Sequence, residues 1–518
     1  MALNSTATTP PTALPYLDGD VPLAQFPTSD RLPVRNPADH RELVGTVALG
    51  TAEQVDRALD LAVAAAPGWA ALTAAGRAEL LRAAADALDR QDTAARAMLL
   101  TREHGKVLWE STLDVGGAAA ILRYYAGLAA EFDAEVDHRN AVGTARFRRR
   151  PLGVTAVIVP WNYPVYLASL MLVPALLAGN PVVVKPSEVA PLALTETLRT
   201  LAAALPAGVV TVVPGTGPVV GATLTSDRRV RAVLFTGSTA TGRTIMASAA
   251  PTLKRLGLEL GGNDPALVLE SAVVDDRLVD ELVRGTFTSS GQVCYSVKRI
   301  YAHRSRYREL VAAYLDAANA LVVGDGRDPE TTIGPLTTRS QYDRVRALVA
   351  DARQRGAQVT TIGRRGATAR WECGNFLLPT VVTDAPHDAA LVAEEQFGPA
   401  IPILPFDTDD EAVALANGTD YGLAASVWTA DPAHADVVAR RIEAGSVFVN
   451  AHRLGASDLA MPFGGAKQSG IGRRHGFVAV EECSELQTIA HIADPAGLPG
   501  PATPTRPGRQ APPGRKEQ

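Results

Sequence analysis

Between residues 154 and 235 the chain alternates short apolar runs with stretches of helical character. This alternation constrains the fold more than any other feature. Residues 154–159, 181–184, 209–213 and 230–235 are rich in β-branched and apolar side chains, and residues 169–177 and 192–205 read as helices between them. Strands this apolar are covered on both faces, which predicts a mostly parallel sheet flanked by helices. A second alternating series runs from about residue 265 to 448 and includes 266–269, 299–302, 400–404, 425–428 and 446–449. Two α/β domains are therefore expected. The most apolar region, 154–184, carries Pro160, Pro164, Pro174 and Pro181 with Asn162 and Asn180, more breaks than a membrane helix tolerates.

The 518 residues suffice for two or three domains with large cores. A net charge of −5 is close to balance for that length, so neither a nucleic-acid nor a membrane partner is expected. The basic run Arg146-Phe-Arg-Arg-Arg150 reads as a solvated strand or edge. Three cysteines, Cys294, Cys373 and Cys483, cannot build a disulfide framework, which points to a reducing compartment, most simply the cytoplasm. The nine histidines lack metal-ligand spacing, so no metal is expected. The N-terminal residues lack the pattern of a signal peptide.

Residues 1–15 are expected to be loose and 493–518 to form a disordered tail. No repeat or low-complexity linker lies between, so the domains must pack closely or interleave. Thr51-Ala-Glu-Gln54 reads as a capping box before helical spacing at Val55, Leu59, Ala62, Val63 and Ala66. Residues 132–150, with Gly143 near the middle, read as a hairpin, and 484–492 as a last strand. An exposed pair of strands like these commonly joins a second subunit.

Cys294 lies in Gly-Gln-Val-Cys-Tyr-Ser (291–296) and Glu259 in Leu-Glu-Leu-Gly-Gly-Asn-Asp-Pro (258–265). A thiol nucleophile and a carboxylate able to activate water are the two groups needed to oxidise an aldehyde through a thioester. Taken alone, a cysteine in an apolar stretch is more often inert core. Asn162 sits in Pro-Trp-Asn-Tyr-Pro (160–164), where two prolines hold an amide either for an oxyanion or for a simple turn. Lys185 and Glu188, in Lys-Pro-Ser-Glu, follow a buried strand and suit either ribose hydroxyls or a surface ion pair. Gly237 and Gly242, in Thr-Gly-Ser-Thr-Ala-Thr-Gly (236–242), suit either a pyrophosphate at a helix N-terminus or a plain strand-to-helix turn.

Together these motifs resemble the aldehyde dehydrogenase superfamily of NAD(P)-dependent enzymes, from about residue 17 to 492. Phe-Thr-Gly-Ser (235–238), Glu-Glu-Gln-Phe-Gly-Pro (394–399) and Pro-Phe-Gly-Gly-Ala-Lys-Gln-Ser-Gly (462–470) complete the set in the family's order. The resemblance implies two interleaved α/β domains with mostly parallel sheets. Residues 16–131 and 151–257 would form a Rossmann-like dinucleotide-binding domain and 258–449 the catalytic domain. Residues 132–150 and 450–492 would form a small β bridging and oligomerisation element that makes homodimers or homotetramers. It implies Cys294 as nucleophile, Glu259 as general base, and Asn162 with the Cys294 N–H as the oxyanion hole. Pro160, Trp161, Lys185, Ser187, Glu188, Gly237, Ser238, Gly242, Leu260, Glu395 and Phe397 would hold the cofactor. Asn450 would buttress the pocket. Glu188 facing the ribose favours NAD, with NADP still possible.

Two positions depart from the family pattern. Met171 and Arg474 stand where many relatives carry a Lys and a Glu proposed to pass protons to or from the base, so Glu259 is expected to exchange protons slowly or by another path. Leu170 replaces the Arg of succinate-semialdehyde relatives. Leu167, Leu170, Tyr295 and Phe463 would then line an apolar tunnel for a medium-sized aliphatic or aromatic aldehyde. His452 and Arg453 suit either contact with a polar substrate or a solvated loop. The alternatives are a variant that passes the acyl group to coenzyme A, against which Glu259 speaks, and a non-catalytic protein that keeps the fold.

Overall fold

The runs expected as strands in the first half do form one sheet. In the computed structural model, which describes residues 10–140, 143–453, 455 and 458–493, Thr155–Ile158, Val182–Lys185, Val210–Val212, Ala232–Thr236 and Arg255–Glu259 lie parallel. Their order across the sheet is 210–212, 182–185, 155–158, 232–236, 255–259. Alternate residues feed different cores: Val157, Val182 and Val184 join one apolar cluster, while Ala156, Ile158 and Val183 join another. Both faces are therefore covered, which is why these strands show no polar alternation. The chain order reverses between Thr155–Ile158 and Ala232–Thr236. Connections leave in opposite directions there, and a crevice opens at the strands' carboxyl ends.

A second sheet runs Gln358–Thr361, Thr380–Thr383, Ala400–Phe406, Val297–His303, Asp264–Val268, Ala424–Trp428, Ser446–Val449. It is parallel apart from the Gln358–Thr361 edge. Here too Leu267 and Tyr301 face one core and Ala266, Val268 and Ile300 the other.

The expected hairpin is present as Val136–Asn140 and Gly143–Pro151, with Ser484–Ile492 antiparallel on its other side. Its basic run is cross-braced: Arg149 pairs with Glu481, Arg150 with Glu485, and Arg146 with Asp137. The rest of the C-terminal region does not stay with this sheet. Gly470–Ile471 pairs antiparallel with Arg255–Glu259 at the first sheet's edge. The helix Gly476–Glu482 packs Ala479 and Val480 into the first core.

Residues 10–15 depart from the expected loose N-terminus, because Thr12–Ala13 pairs with Asp39–Ala48. Residues 1–9 and, past Ala493, the expected tail lie outside the described residues. The helix expected from 169 begins at Pro164, where a missing N–H costs nothing. Thr51 and Gln54 form the capping box of Ala52–Ala71. Among the described residues no single helix is long and apolar enough to cross a membrane.

The long helix Leu108–Gly127 escaped the sequence reading because its exposed face carries apolar residues such as Leu108, Trp109 and Leu113, while its buried face carries Glu110, Ser111 and Asp114. It fastens the loop after Thr155–Ile158. Lys106, just before the helix, is buried and pairs at 3.0 Å with buried Asp114. Its Nζ also donates to the Asn162 carbonyl at 2.5 Å, and Asp114 accepts from the Tyr166 N–H at 2.7 Å. Removing one member of a buried pair strands the other charge. Asp114→Ala is therefore expected to lower unfolding free energy by about 3–5 kcal/mol, read as a shift in urea midpoint at unchanged slope.

Candidate active site

At the reversal point the loops after Thr155–Ile158 and Ala232–Thr236 wall a cleft of ≈ 1060 Å³. Asn162 and Cys294 both line it. The segment that carries Cys294 follows the helix Asp276–Phe287 and makes an abrupt turn. Ser289, Ser290 and Gly291 are all left-handed, with φ of 53°, 58° and 73°. A Cβ on Gly291 would meet the Gly398 carbonyl at 2.5 Å, so only glycine fits. The Ser289 N–H donates to Glu110 at 2.6 Å, and Ser290 Oγ donates to the Gly334 carbonyl at 2.8 Å.

Beyond the turn, four consecutive carbonyls are held by three side chains. Asn162 Nδ2 donates to Gln292 O at 3.1 Å. Lys298 Nζ donates to Val293 O at 2.8 Å and to Cys294 O at 3.0 Å. His452 Nε2 bonds Tyr295 O at 3.0 Å. The direction of that last bond is fixed by a chain. Trp428 Nε1 can only donate to Ser426 Oγ at 2.8 Å, Ser426 bonds His452 Nδ1 at 2.8 Å, and a carbonyl can only accept. Burial holds His452 near a pKa of about 3, so it is the neutral imidazole. Among the described residues the Cys294 N–H has no acceptor, and Asn162 keeps one of its two amide hydrogens. Both donors are free for an oxyanion in the cleft.

Cys294 itself is half-buried, and burial pushes its thiol up to about 12. Lys298 opposes that shift, while Glu259, Asp264 and Glu395 add to it. Glu259 ends its strand. Both its carboxylate oxygens are buried without a partner, and burial raises it to about 8 against the pull of Arg474 and Arg473. Its carboxyl lies behind the cleft's lining rather than in it, with Oε1 3.0 Å from where a Gly464 Cβ would be. Arg474 is buried with Nε and Nη2 unpartnered, its guanidinium pressed on Gly257 of the same strand. Met171 accepts a long 3.6 Å contact from Thr236 Oγ1, on the strand beside Glu259. An arginine and a thioether thus occupy the positions singled out near the base.

Of the expected cofactor residues, Pro160, Trp161, Gly237, Ser238, Leu260, Glu395 and Phe397 line the cleft. Ser238 caps the helix Thr239–Ala249, so its first N–H groups face the same space. Trp161 and Phe397 meet edge to face at 5.5 Å, with Phe397 left-handed at φ 47°. Lys185, Ser187 and Glu188 stand outside this lining, at the carboxyl end of the neighbouring strand. Lys185 Nζ bonds the Pro186 carbonyl at 2.9 Å and Glu188 at 3.2 Å. Gly242 serves packing, since a Cβ there would strike Leu260 at 2.7 Å.

The expected tunnel residues fall elsewhere. Leu170 packs in the first core with Leu167 against it, and Tyr295 meets Phe463 edge to face at 5.3 Å. None of the four lines the cleft. Asn450, expected as a buttress, instead brackets Thr429, accepting from its N–H at 2.9 Å and donating to its carbonyl at 3.0 Å. His452 is fully buried rather than on a solvated loop or at a substrate, and Arg453 pairs with Glu281 at 2.7 Å. The sequence reading missed Lys106, Glu110, Lys298 and the structural role of His452. Only Lys298, a charge inside an apolar strand four residues after Cys294, carried a local signal.

The Aldehyde dehydrogenase family model matches residues 26–489. An aldehyde dehydrogenase from Bacillus cereus, solved with NAD+, superposes with a TM-score of 0.87 at 33% identity, covering 93% of this chain and 96% of its own. A betaine aldehyde dehydrogenase from Staphylococcus aureus, also solved with NAD+, gives 0.86 at 32%, over 92% and 94%. An NADP-dependent enzyme from E. coli gives 0.87 at 32%, over 95% and 100%. With its alternating sheets, its crevice at the order reversal and its cysteine turn, this chain belongs to the aldehyde dehydrogenase family.

Proposed function

We propose that the protein oxidises an aldehyde to the carboxylic acid with NAD(P), using Cys294 as nucleophile and water activated by Glu259. One observation carries this reading. A half-buried thiol, on a turn whose carbonyls are immobilised, lines a cleft together with two available donor hydrogens, the Cys294 N–H and the second amide hydrogen of Asn162. That is the arrangement an attacked carbonyl needs, because fixed dipoles stabilise its developing negative charge without reorganising.

The Cys294 thiol gives its proton to solvent in the cleft, and its sulfur adds to the aldehyde carbon. The former carbonyl oxygen becomes an oxyanion held by Asn162 and the Cys294 N–H. The chemistry NAD(P) supplies when bound is acceptance of the hydride, which leaves a thioester on Cys294. Glu259 takes a proton from water, the hydroxide adds to the thioester carbon, and the C–S bond breaks to give the acid and the thiolate. The cleft fits such a cofactor: helix N–H groups at Ser238 suit a pyrophosphate, and Trp161 and Phe397 offer apolar walls beside Glu395. Glu188, at the end of its strand, disfavours a 2′-phosphate, so NAD is the preferred form. The NAD+ complexes of the Bacillus and Staphylococcus structures support this reading. A medium-sized aliphatic or aromatic aldehyde is the proposed substrate, with the aromatic pair of Tyr295, next in sequence to Cys294, and Phe463, 5.3 Å apart, as the apolar surface on offer. The outer strand Ser484–Ile492, with Leu486 and Ile492 exposed, suits pairing with a second copy in a homodimer or homotetramer.

NADH formation from a panel of aldehydes, with and without coenzyme A, tests the reading. The wild type is expected to need no coenzyme A, and Cys294→Ala to abolish turnover. A requirement for coenzyme A, or turnover that survives Cys294→Ala, refutes it. Asn162→Ala is expected to lower kcat by about 10²-fold, the typical effect of losing one oxyanion donor.

Glu259 must be ionised to act, and its folded pKa is raised to about 8. Thioester hydrolysis is therefore expected to rise with pH through a midpoint of about 8 and to level only above it. Arg474 favours the ionised carboxylate, so Arg474→Gln moves that midpoint to higher pH. Single-turnover acid release across pH reads both. An unmoved midpoint in Arg474→Gln would dissociate the arginine from the base.

A further inference from the structure

Lys298 is the second residue of the strand Val297–His303, yet its side chain folds back along the turn it follows. It is 2% exposed. Burying an ammonium costs several kcal/mol unless its hydrogens are matched, and a leucine or methionine would fill the same space without that cost. The matching here is specific. Two hydrogens go to Val293 O and Cys294 O at 2.8 and 3.0 Å. On a third side Glu395 Oε1 stands 3.7 Å away. Glu395 is shared in turn with the Gly262 N–H, which donates to the same oxygen at 3.2 Å.

We propose that Lys298 is a positioning residue for Cys294, fixing the peptide that carries the thiol and setting its reactivity by dividing one buried charge between the turn and Glu395. The proposal rests on the reading of Cys294 as nucleophile. The charged groups that face the sulfur explain why one cation matters. Glu259 comes from the last strand of the first sheet, Asp264 from the strand Asp264–Val268, and Glu395 from the loop beyond Ala390–Ala393. All three oppose a thiolate, as burial does, and Lys298 is the cation that favours it. His452, on the loop beyond Ser446–Val449, is neutral and adds no charge. Neighbouring Arg299 is committed elsewhere, to the carbonyls of Asn263, Leu415 and Ala416. Without Lys298 the sulfur would face three carboxyl groups and no balancing cation. Glu395 tunes the effect, because whatever share of the ammonium's field it takes is withdrawn from the turn.

The full-length protein tests this with iodoacetamide as probe and no cofactor present. The Cys294 thiolate forms an S–C bond, the C–I bond breaks, iodide leaves and the thiol proton passes to solvent. Mass spectrometry of the Cys294 peptide gives the rate across pH, free of the signals of Cys373 and Cys483. Lys298→Met keeps the length and removes the charge. It is expected to displace the profile to higher pH, so that alkylation at a fixed pH below the midpoint slows about tenfold. Lys298→Arg is expected to recover most of the rate, and Glu395→Gln to displace the profile to lower pH. A merely structural lysine would not yield opposite displacements from the two variants. A folded Lys298→Met whose profile overlays the wild type overturns the proposal. If Lys298→Met does not fold, Lys298→Gln, which keeps donor hydrogens without the charge, decides, and a profile that overlays the wild type overturns the proposal. Alkylation does not depend on any aldehyde being turned over. Failure here leaves the proposed reaction standing, and survival of turnover in Cys294→Ala would end that reaction without touching these profiles.

Discussion

The hydrogen bond from the Ser289 N–H to the buried Glu110 carboxylate, 2.6 Å long, holds the active turn in its shape. Two serines in succession adopt the left-handed conformation there, at roughly 1–2 kcal/mol each. Such a backbone persists only when its surroundings over-determine it. Glu110 supplies much of that determination, because it also accepts the Val107 N–H at the start of its own helix. One carboxyl group thus ties the long helix Leu108–Gly127 to the loop that presents the thiol. The same helix holds the oxyanion loop through Lys106 and Asp114. Cys294 and Asn162, the proposed nucleophile and oxyanion donor, are therefore referenced to one rigid body, although they come from different sheets.

The site's position follows from topology. Where the strand order reverses, neighbouring connections part and leave a gap that side chains do not fill. Its chemistry follows from burial. Glu259, Asp264 and Arg474 all keep buried polar atoms without partners, a concentration unusual for a folded protein. Such groups cost stability where they sit. For Glu259 the sign is clear: a carboxyl whose folded pKa lies above its unfolded value binds its proton more tightly when folded. Its contribution to stability is present below about 4.5 and is lost as pH climbs toward about 8. The ionisation that the proposed role of Glu259 requires is also the one whose cost the fold bears.

Much of this was legible in the residues alone. The buried strands stood out because both faces of each sheet are covered, so four to six apolar residues run together. The cysteine, the carboxylate and the asparagine stood out because their local motifs are dense in glycine and proline. What stayed hidden depends on contacts distant in sequence. Glu110 and Ser289 are 179 positions apart, and nothing near either announces the other. Leu108–Gly127 lacks a polar face to mark it as a helix. Arg255–Glu259 begins with a charge and contains a glycine, so it was not among the expected strands. His452 stood in a polar segment and looked solvated, whereas the chain folds it under Tyr295. Leu170, expected on a tunnel wall, packs in the first core, and apolarity alone does not distinguish the two places.

The short pairing of Gly470–Ile471 with Arg255–Glu259 has a consequence for biosynthesis. The strand bearing the base gains its outer neighbour only from residues near the C-terminus, and Arg474 arrives with them. During translation the left-handed turn at 289–291 and its anchor Glu110 can form before that edge is covered, whereas His452, which holds Tyr295, and Gln468, which lines the crevice, come shortly before it. A nascent chain still threaded through the ribosome would carry that turn but lack the arginine and the flanking strand beside Glu259, the proposed base. The enzyme is thus completed from its tail, and a late frameshift or premature stop would silence it while sparing most of its architecture.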